Sequence, residues 1–340
     1  METVEPTGRE LPLERVGVVA IGRNEGERLR RCLESMPPDL GGVVYVDSNS
    51  TDGSVALARE HGVSVVELDM SIPFTAARAR NAGFAHLLRE HPELEAVQFV
   101  DGDCGVCEGW IESAAGDLAR HPQWVAVCGW RRELFPERSV YNRLCDLEWI
   151  APAPGDVGDF GFGGDVLIRV DAFREAGGYD ETLIAGEDPE LSARLRYAGG
   201  EVVRVDRDMT RHDADMFSAS QWWRRSVRSG HAFAEVASLH RERGLFRRNL
   251  RSIALWGLAM PAGIVLAAPV LPIAAFAGIV LYALQIGRIV RSMDVARTTS
   301  SQRVLWGVSC MASQLPKGWG ALTFWINQAR GERQELIEYK

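Results

Sequence analysis

Lysine is nearly missing from this chain. Only Lys317 and Lys340 occur among 38 basic residues, the rest being arginine. That bias carries no functional meaning by itself. A positive net charge is missing too. The formal balance is −8, which argues against nucleic acid as a partner, because such a protein needs a positive field to neutralise phosphates. The six cysteines (Cys32, Cys104, Cys107, Cys128, Cys145, Cys310) show no disulfide framework, and a chain of 340 residues does not need one. Cys104-Gly-Val-Cys107 is a single C-x-x-C with no second pair. A structural zinc site needs four ligands, so it reads as two small apolar side chains, and a reducing compartment fits. No secretory leader opens the sequence. Residues 1–14 are polar, with Pro6 and Pro12, and read as a loose N-terminal arm. The first apolar run, from Val16, is too short for export, so the N-terminal domain is expected in the cytoplasm. Repeats and low-complexity tracts are absent as well. What remains is ordinary globular composition, 46% apolar and 25% charged, with room for one large domain and an appendage.

The first half alternates β-branched runs with helical stretches. Strands are expected at 16–21, 43–46, 63–68, 97–100 and 124–128, and helices at 27–36, 52–61, 75–89 and 111–120. Ser50 is placed to cap the second helix and Gly62 to end it in the left-handed conformation. Such alternation implies an α/β fold, Rossmann-like, with a mostly parallel sheet covered by helices on both faces. Ligands on such sheets bind beyond the carboxyl ends of strands. That rule singles out Asn24-Glu25, Asp47 and Asp101/Asp103, each directly after a strand. The second half has a Gly-rich loop at 156–165, strands at 166–170 and 202–205, helices at 172–176 and 189–198, and a long Arg/Trp-rich helix at 220–243.

From residue 252 to 287 there is no charged residue. A spanning helix takes about 20 apolar residues, so this run is too long for one ordinary span and slightly short for two. Pro269 and Pro272 sit near its middle and would break a helix. The expectation is a membrane hairpin, helices 253–268 and 273–286, within a C-terminal region 241–340 that follows a folded domain at 15–240. Arg247, Arg248 and Arg251 precede it and Arg288 and Arg291 follow it; basic flanks put both ends on the cytoplasmic side of the cell membrane. The alternative is a buried helical pair in a soluble core. Residues 304–325, with Trp306, Trp319, Trp325 and Lys317, read as an interfacial helix or a weak third span. Arg224, Arg225, Arg228, Arg241 and Arg243 form a basic stretch before the hairpin, suited to membrane lipids or a lipid-phosphate acceptor, or to plain solvation.

D-x-D occurs three times, at Asp101/Asp103, Asp206/Asp208 and Asp213/Asp215. Only the first follows an apolar strand in the alternating half. Two carboxylates on a Gly turn can hold Mg²⁺ or Mn²⁺ and leave positions for diphosphate oxygens; a capped, solvated turn is the alternative. The stretch Asp47-Ser-Asn-Ser-Thr-Asp-Gly-Ser54 reads as a turn with a helix cap. Glu187-Asp188-Pro189 opens a helix with acidic groups that complement its dipole. Gly158-Asp-Phe-Gly-Phe-Gly-Gly-Asp165 lacks the position of a dinucleotide fingerprint and reads as a flexible loop. Trp130 and Trp149 are candidates to stack on a ligand or to pack in the core.

Taken in order, Asn24-Glu25, the Asp47 turn, Ala79-Arg80-Asn81, Asp101-Gly-Asp103, Gly163-Gly164-Asp165, Gly177-Gly178-Tyr179-Asp180-Glu181 and Gly186-Glu187-Asp188-x-Glu190-Leu191 resemble the family 2 glycosyltransferases of the GT-A fold. The resemblance covers about residues 16–240. It implies a nucleotide-sugar donor, a UDP-sugar before others, with Asn24, Glu25 and Asp47 at its base and ribose and Arg80 at its phosphates. It implies Mn²⁺ or Mg²⁺ held by Asp101 and Asp103, Asp101 also facing the ribose. Some enzymes of this fold use a late histidine as a further ligand, a role open to His212, as is a structural one. Asp188 becomes the base that removes a proton from the acceptor hydroxyl in inverting transfer, with Gly164, Asp165, Glu187 and Trp223 on the acceptor side. The acceptor is expected to be lipid-linked or a growing glycan. Gln221-Trp222-Trp223-Arg224-Arg225 matches the Gln-x-x-Arg-Trp element of processive members only in part. The alternatives are a retaining transferase, which does not need Asp188, and a non-catalytic nucleotide-binding membrane scaffold, which would lack the carboxylates present here. A nucleotidyltransferase would carry a Lys-containing Gly-rich loop where Gly22-Arg-Asn-Glu25 stands.

Overall fold

A computed structural model describes residues 10–293, 297–332 and 337, so the first nine residues of the expected arm lie outside the described residues. The chain divides into two compact units. One comprises residues through Leu134, Pro152–Thr182 and Glu187–Ala214; the other comprises Phe135–Ala151, Leu183–Gly186 and the chain from Asp215.

The first unit is built on a nine-stranded sheet among the described residues. Its elements in order are β1 (Val16–Gly22), α1 (Glu27–Glu34), β2 (Gly42–Asp47), α2 (Ser54–Glu60), β3 (Ser64–Glu67), α3 (Ala76–Glu90), β4 (Ala96–Asp101), β5 (Cys104–Val106), α4 (Trp110–Arg120) and β6 (Trp124–Glu133). After α5 (Val140–Ile150), which belongs to the second unit, come β7 (Gly155–Asp156), β8 (Val166–Arg169), α6 (Val170–Glu175), α7 (Glu187–Tyr197) and β9 (Glu201–His212). The strand order is β3-β2-β1-β4-β8-β6-β9-β5, with β7 on β9. Pairings β3-β2-β1-β4 and β6-β9 are parallel, whereas β8, β5 and β7 pair antiparallel. The α/β class stands, with a mixed sheet. β1 and β4 are buried along nearly their whole length, the pattern of strands covered on both faces.

Three features escape hydrophobic periodicity. β5 and β7 are too short to give a pattern. β6 and β9 continue well past the apolar residues that announced them, into Trp130-Arg-Arg-Glu133 and Asp206-Arg-Asp-Met-Thr-Arg-His212. These polar ends stay in the sheet because they pair with each other across a bulge near Trp130. An aromatic cluster of Phe84, Phe99, Phe173 and Tyr179, with neighbouring centroids 4.3–5.5 Å apart, joins α3, β4 and α6. Asn81 of α3 docks the segment after α6 by exchanging 2.9 Å bonds with Tyr179: its amide donates to the Tyr179 carbonyl and its oxygen accepts the Tyr179 N–H.

The second unit is helical. α8 (Ala219–Leu239) is capped by Ser218, with Gln221 completing a capping box, so the glutamine of the partial Gln-x-x-Arg-Trp element serves the helix start. The expected hairpin is two helices of 21 residues each, Arg247–Ala267 and Pro272–Ser292, long and apolar enough to cross a membrane; at 1.5 Å per residue each reaches about 30 Å. Both extend into their arginine flanks, which is why the charge-free run alone looked short for two. The first contains a π-helical stretch, Ile253–Ala259, and its Trp256 carbonyl accepts the Tyr282 hydroxyl of the second. Val265, Leu266, Val270, Ile273 and Phe276 are exposed. The single element expected at 304–325 is two helices, Ser300–Ala312 and Gln314–Arg330. In the latter Pro316, Gly318, Gly320, Ala321 and Phe324 are buried, and Trp319, Leu322 and Ile326 are exposed. Its backbone touches α8 where Gly230 meets Lys317 and Gly320 meets Val227; a Cβ at either glycine would strike a carbonyl oxygen.

Two helical glycines give a stability test. A Cβ at Gly83 of α3 would strike Val19 and lie 2.7 Å from Val46 Cγ2, whereas at Gly116 of α4 it meets only the mobile end of Arg120 at 3.2 Å. Gly83→Ala is expected to destabilise by about 1–3 kcal/mol through overpacking. Gly116→Ala is expected to stabilise by up to about 1 kcal/mol through helix propensity. Urea midpoints of the two variants check both signs.

Candidate active site

The site grows out of strand register. Across three neighbouring strands, Cys104 of β5 lies opposite His212 of β9, and His212 lies opposite Glu133 of β6. One step along, Thr210 of β9 lies opposite Arg131 of β6. The turn between β4 and β5 is Asp101-Gly102-Asp103, so the same pairing carries both aspartates to this edge. His212 Nε2 is 3.3 Å from Asp103 Oδ2, and Nδ1 is 3.8 Å from Glu133 Oε2. Two groups of possible metal ligands result among the described residues, Asp103–Cys104–His212 and Asp101–Cys104–Asp165, each with its ligand atoms within 4.8 Å of one another. A carboxylate beside an imidazole is a donor set that suits Mn²⁺. Asp103 and His212 therefore fit the expected ion, with Asp101 alongside.

Two buried arginines hold the carboxylates together. Arg80 of α3 donates from Nη2 to Asp101 Oδ1 and from Nη1 to Glu187 Oε1, both at 2.8 Å, and Nη1 lies 3.5 Å from Asp188 Oδ1. Its other face lies 5.4 Å from the Tyr179 ring centroid. Arg131 donates to Asp101 Oδ2 at 3.1 Å and from Nε to Asp165 Oδ2 at 2.9 Å. Asp165 is fully buried and also accepts the Thr210 hydroxyl and the Asp101 N–H. Gly164 lets this loop approach, since a Cβ there would lie 2.5 Å from Arg131 Nη2 and 2.7 Å from Asp101 Oδ2.

These contacts alter several expected roles. The Arg80 side chain is 3% exposed, and its guanidinium lies on three carboxylates. Asp101 has one arginine on each oxygen, which leaves Asp103 the carboxylate nearer His212. Asn24, in left-handed conformation at φ 57°, stitches two loops: its N–H donates to Ser50 Oγ at 2.8 Å and its Oδ1 accepts the Thr51 N–H at 2.7 Å. Asp47 accepts the Tyr45 hydroxyl and the Ser50 N–H. Glu25 pairs with Arg28 at 2.9 Å. The Gly-rich loop is braced, with Gly158 and Gly161 carbonyls accepting from Arg196 and Arg204. Trp130 is buried and donates to Asp206, so it is closed to sugar stacking. Asp213 pairs with Arg31 and Asp208 with Arg211, which occupies carboxylates of the other two D-x-D sequences. Trp223 lies on α8 of the second unit, 41% exposed. Sequence reasoning missed Arg131, Glu133 and Thr210. The available signal was a charged run continuing an apolar strand.

Electrostatics separates the acids. Burial pushes the Asp188 carboxyl up to about 7, with the charges of Glu187 and Asp101 adding to the rise and Arg80 opposing it. Asp188 Oδ1 is buried without a hydrogen-bond partner. Burial acts upward on Asp101 as well, but Arg80 and Arg131 more than offset it and hold this carboxyl below its ordinary range.

The sequence model of the glycosyl transferase family 2 matches residues 18–173. A pre-mycofactocin glycosyltransferase of Mycobacterium tuberculosis is 26% identical over 237 residues, covering 66% of this chain and 48% of the relative. The succinoglycan biosynthesis protein ExoA of Rhizobium meliloti is 28% identical over 202 residues, covering 54% and 58%. The chain thus spans about half the length of these curated relatives. Among solved structures, the mannosyltransferase PcManGT of Pyrobaculum calidifontis, in complex with GDP-Man and Mn²⁺, superposes with a TM-score of 0.61 at 21% identity, covering 94% of this chain and 88% of that one. S. aureus TarS 1-349 superposes with a TM-score of 0.51 at 13% identity, covering 94% and 92%. At these identities the likeness is one of fold.

The raised Asp188 has a stability signature. Unfolded, an aspartate titrates near 4; folded, this one titrates at about 7. Between those values the folded state keeps a proton that the unfolded state gives up, so stability falls as pH rises through the window. Asp188→Asn is expected to raise the urea midpoint at pH 8 and to leave it nearly unchanged near pH 4. A pH-independent difference would contradict the assigned environment.

Proposed function

We propose that this chain, whose residues 18–173 match the glycosyl transferase family 2, is a glycosyltransferase that carries out inverting, metal-dependent transfer of a sugar from a nucleotide-diphosphate donor to an acceptor hydroxyl. The observation that carries this reading is Arg80, which ties Asp188 to the Asp101-Gly-Asp103 turn through a single guanidinium. The Asp188 carboxyl and the Asp101/Asp103 turn, from separate stretches of chain, thereby meet at one guanidinium, which supports their roles as base and ion site. Asp188, with its carboxyl at about 7, is matched to proton removal near neutral pH. Asp103 and His212 would hold Mn²⁺ or Mg²⁺, with Asp101 beside them; the ion's chemistry is to neutralise charge on the departing diphosphate. Arg80, itself held by Glu187, lies beside Asp188, and Asp165 and Arg131 orient Asp101. Asp47, Asn24 and Glu25 shape the loops proposed to receive the base and ribose.

A UDP-sugar is the first donor to test and a GDP-sugar the second. Two arginine-flanked apolar helices, Arg247–Ala267 and Pro272–Ser292, support an enzyme anchored at the cytoplasmic face of the cell membrane. There an acceptor that is lipid-linked, or a growing glycan, is the substrate that anchoring favours.

Stabilisation in a thermal-shift panel of nucleotide sugars with Mn²⁺ identifies the donor. With it, kcat/KM is expected to rise with pH up to about 7 and then level off. Asp188→Asn should lower kcat by about 10²–10⁴ with donor binding kept. Product with retained anomeric configuration, or a variant of full activity, sinks the assigned base. Transfer unaffected by EDTA sinks the ion site.

A further inference from the structure

Cys104 is the one residue shared by both groups of possible metal ligands, Asp103–Cys104–His212 and Asp101–Cys104–Asp165. Its thiol is fully buried. Register explains the placement. Cys104 and His212 are direct cross-strand partners, so their side chains leave the sheet on the same face with Cβ atoms about 5 Å apart. The thiol lies 3.6 Å from Asp103 Oδ1, and His212 Nε2 lies 3.3 Å from Asp103 Oδ2. Tetrahedral Zn²⁺, with sulfur at about 2.3 Å and nitrogen or oxygen at about 2.0 Å, separates its ligand atoms by about 3.5 Å. These two contacts are made by different oxygens of Asp103, and one ligand atom from each of the three residues already lies within 4.8 Å of the others, so a small adjustment would reach that spacing. A hard oxygen-seeking ion has no use for the sulfur, whereas a thiophilic ion gains a third protein ligand.

We propose that Cys104 is a third protein ligand at the ion site, so that Zn²⁺ or Co²⁺ binds through Asp103, Cys104 and His212 and displaces Mn²⁺ or Mg²⁺. The proposal rests on the reading of Asp103 and His212 as the ion site. When the metal–sulfur bond forms, the thiol S–H breaks and its proton leaves to solvent, so the thiol is bound as thiolate. The fourth position stays open. A soft cation therefore holds the site against the hard ion that transfer uses and acts as an inhibitor of the same enzyme.

The test uses the full-length chain with Co²⁺ as the optical probe and Mn²⁺ as the paramagnetic one. The wild type should show a thiolate-to-cobalt charge-transfer band at one Co²⁺ per chain, lost in Cys104→Ser and kept in Cys107→Ser. Zn²⁺ should expel Mn²⁺ from the wild type. Even an outer partner of a metal ligand is worth about tenfold in affinity, so loss of this direct ligand should weaken Zn²⁺ by at least that much and leave Mn²⁺ binding largely intact. If Cys104→Ser does not fold, proton release from the unaltered chain decides: Zn²⁺ should liberate about one proton more than Mn²⁺ at the same pH. Mn²⁺ binding without a charge-transfer band, or a band that survives Cys104→Ser, overturns the role of Cys104 and leaves the ion site standing. Failure to bind any of the three cations overturns both.

Discussion

Repulsion between acids is the constraint around which the first unit is organised. Asp101, Asp103, Asp165, Glu187 and Asp188 gather at one sheet edge, and several are buried. Unpaired carboxylates in such a setting would take up protons or force the structure open. Arg80 and Arg131 prevent this, each bridging two or more of them. Removing one partner of such a buried set typically costs about 3–5 kcal/mol, because the other charge stays buried alone. The arrangement also sorts the acids: Asp101, with an arginine on each oxygen, stays ionised, and Asp188, at the margin of Arg80, is held near neutrality in its affinity for protons. One network thus provides both an ionised carboxylate and a carboxyl that titrates near 7.

The network is only as sound as the elements that carry it. Arg80 comes from α3, which rests on β1 and β2 through Gly83. Asn81, the next residue, fastens the segment ahead of α7. Glu190 of α7 grips Arg194, whose guanidinium reaches the Gly178 carbonyl at 2.7 Å. Some motif residues are also joints that place other groups. Asn24 and Gln221 are of this kind, one closing a pair of loops and the other a helix cap.

How far this was legible in the sequence follows from the physics of each element. β1, β2, β4 and their helices announce themselves, because fully covered strands are uninterrupted β-branched runs bounded by Gly, Pro and caps. The Asp101 turn and Glu187-Asp188 were legible for the same reason, lying directly at element ends. The polar halves of β6 and β9 were not. Their pairing depends on each other and on a bulge, so no local pattern records it, and Arg131, Glu133 and Thr210 went unnoticed with them. The carboxylate contacts of Arg80 could not be read either, since a guanidinium suits phosphate and carboxylate alike and only the fold brings three carboxylates to it. In the second unit the apolar hairpin was plain from charge alone. The break at Ser313 and the glycine contacts of α8 with Gln314–Arg330 depend on helix packing, which sequence spacing does not reveal.

One ion is proposed to sit where the β4–β5 turn meets β9. Anomalous scattering from Mn²⁺ in crystals grown with a nucleoside diphosphate locates it directly. The expected result is one strong peak between the Asp103 carboxylate and His212 Nε2, with Asp101 at its side. A peak at Asp206/Asp208 instead, or no peak with the nucleotide bound, would contradict the assignment of this edge as the centre of catalysis.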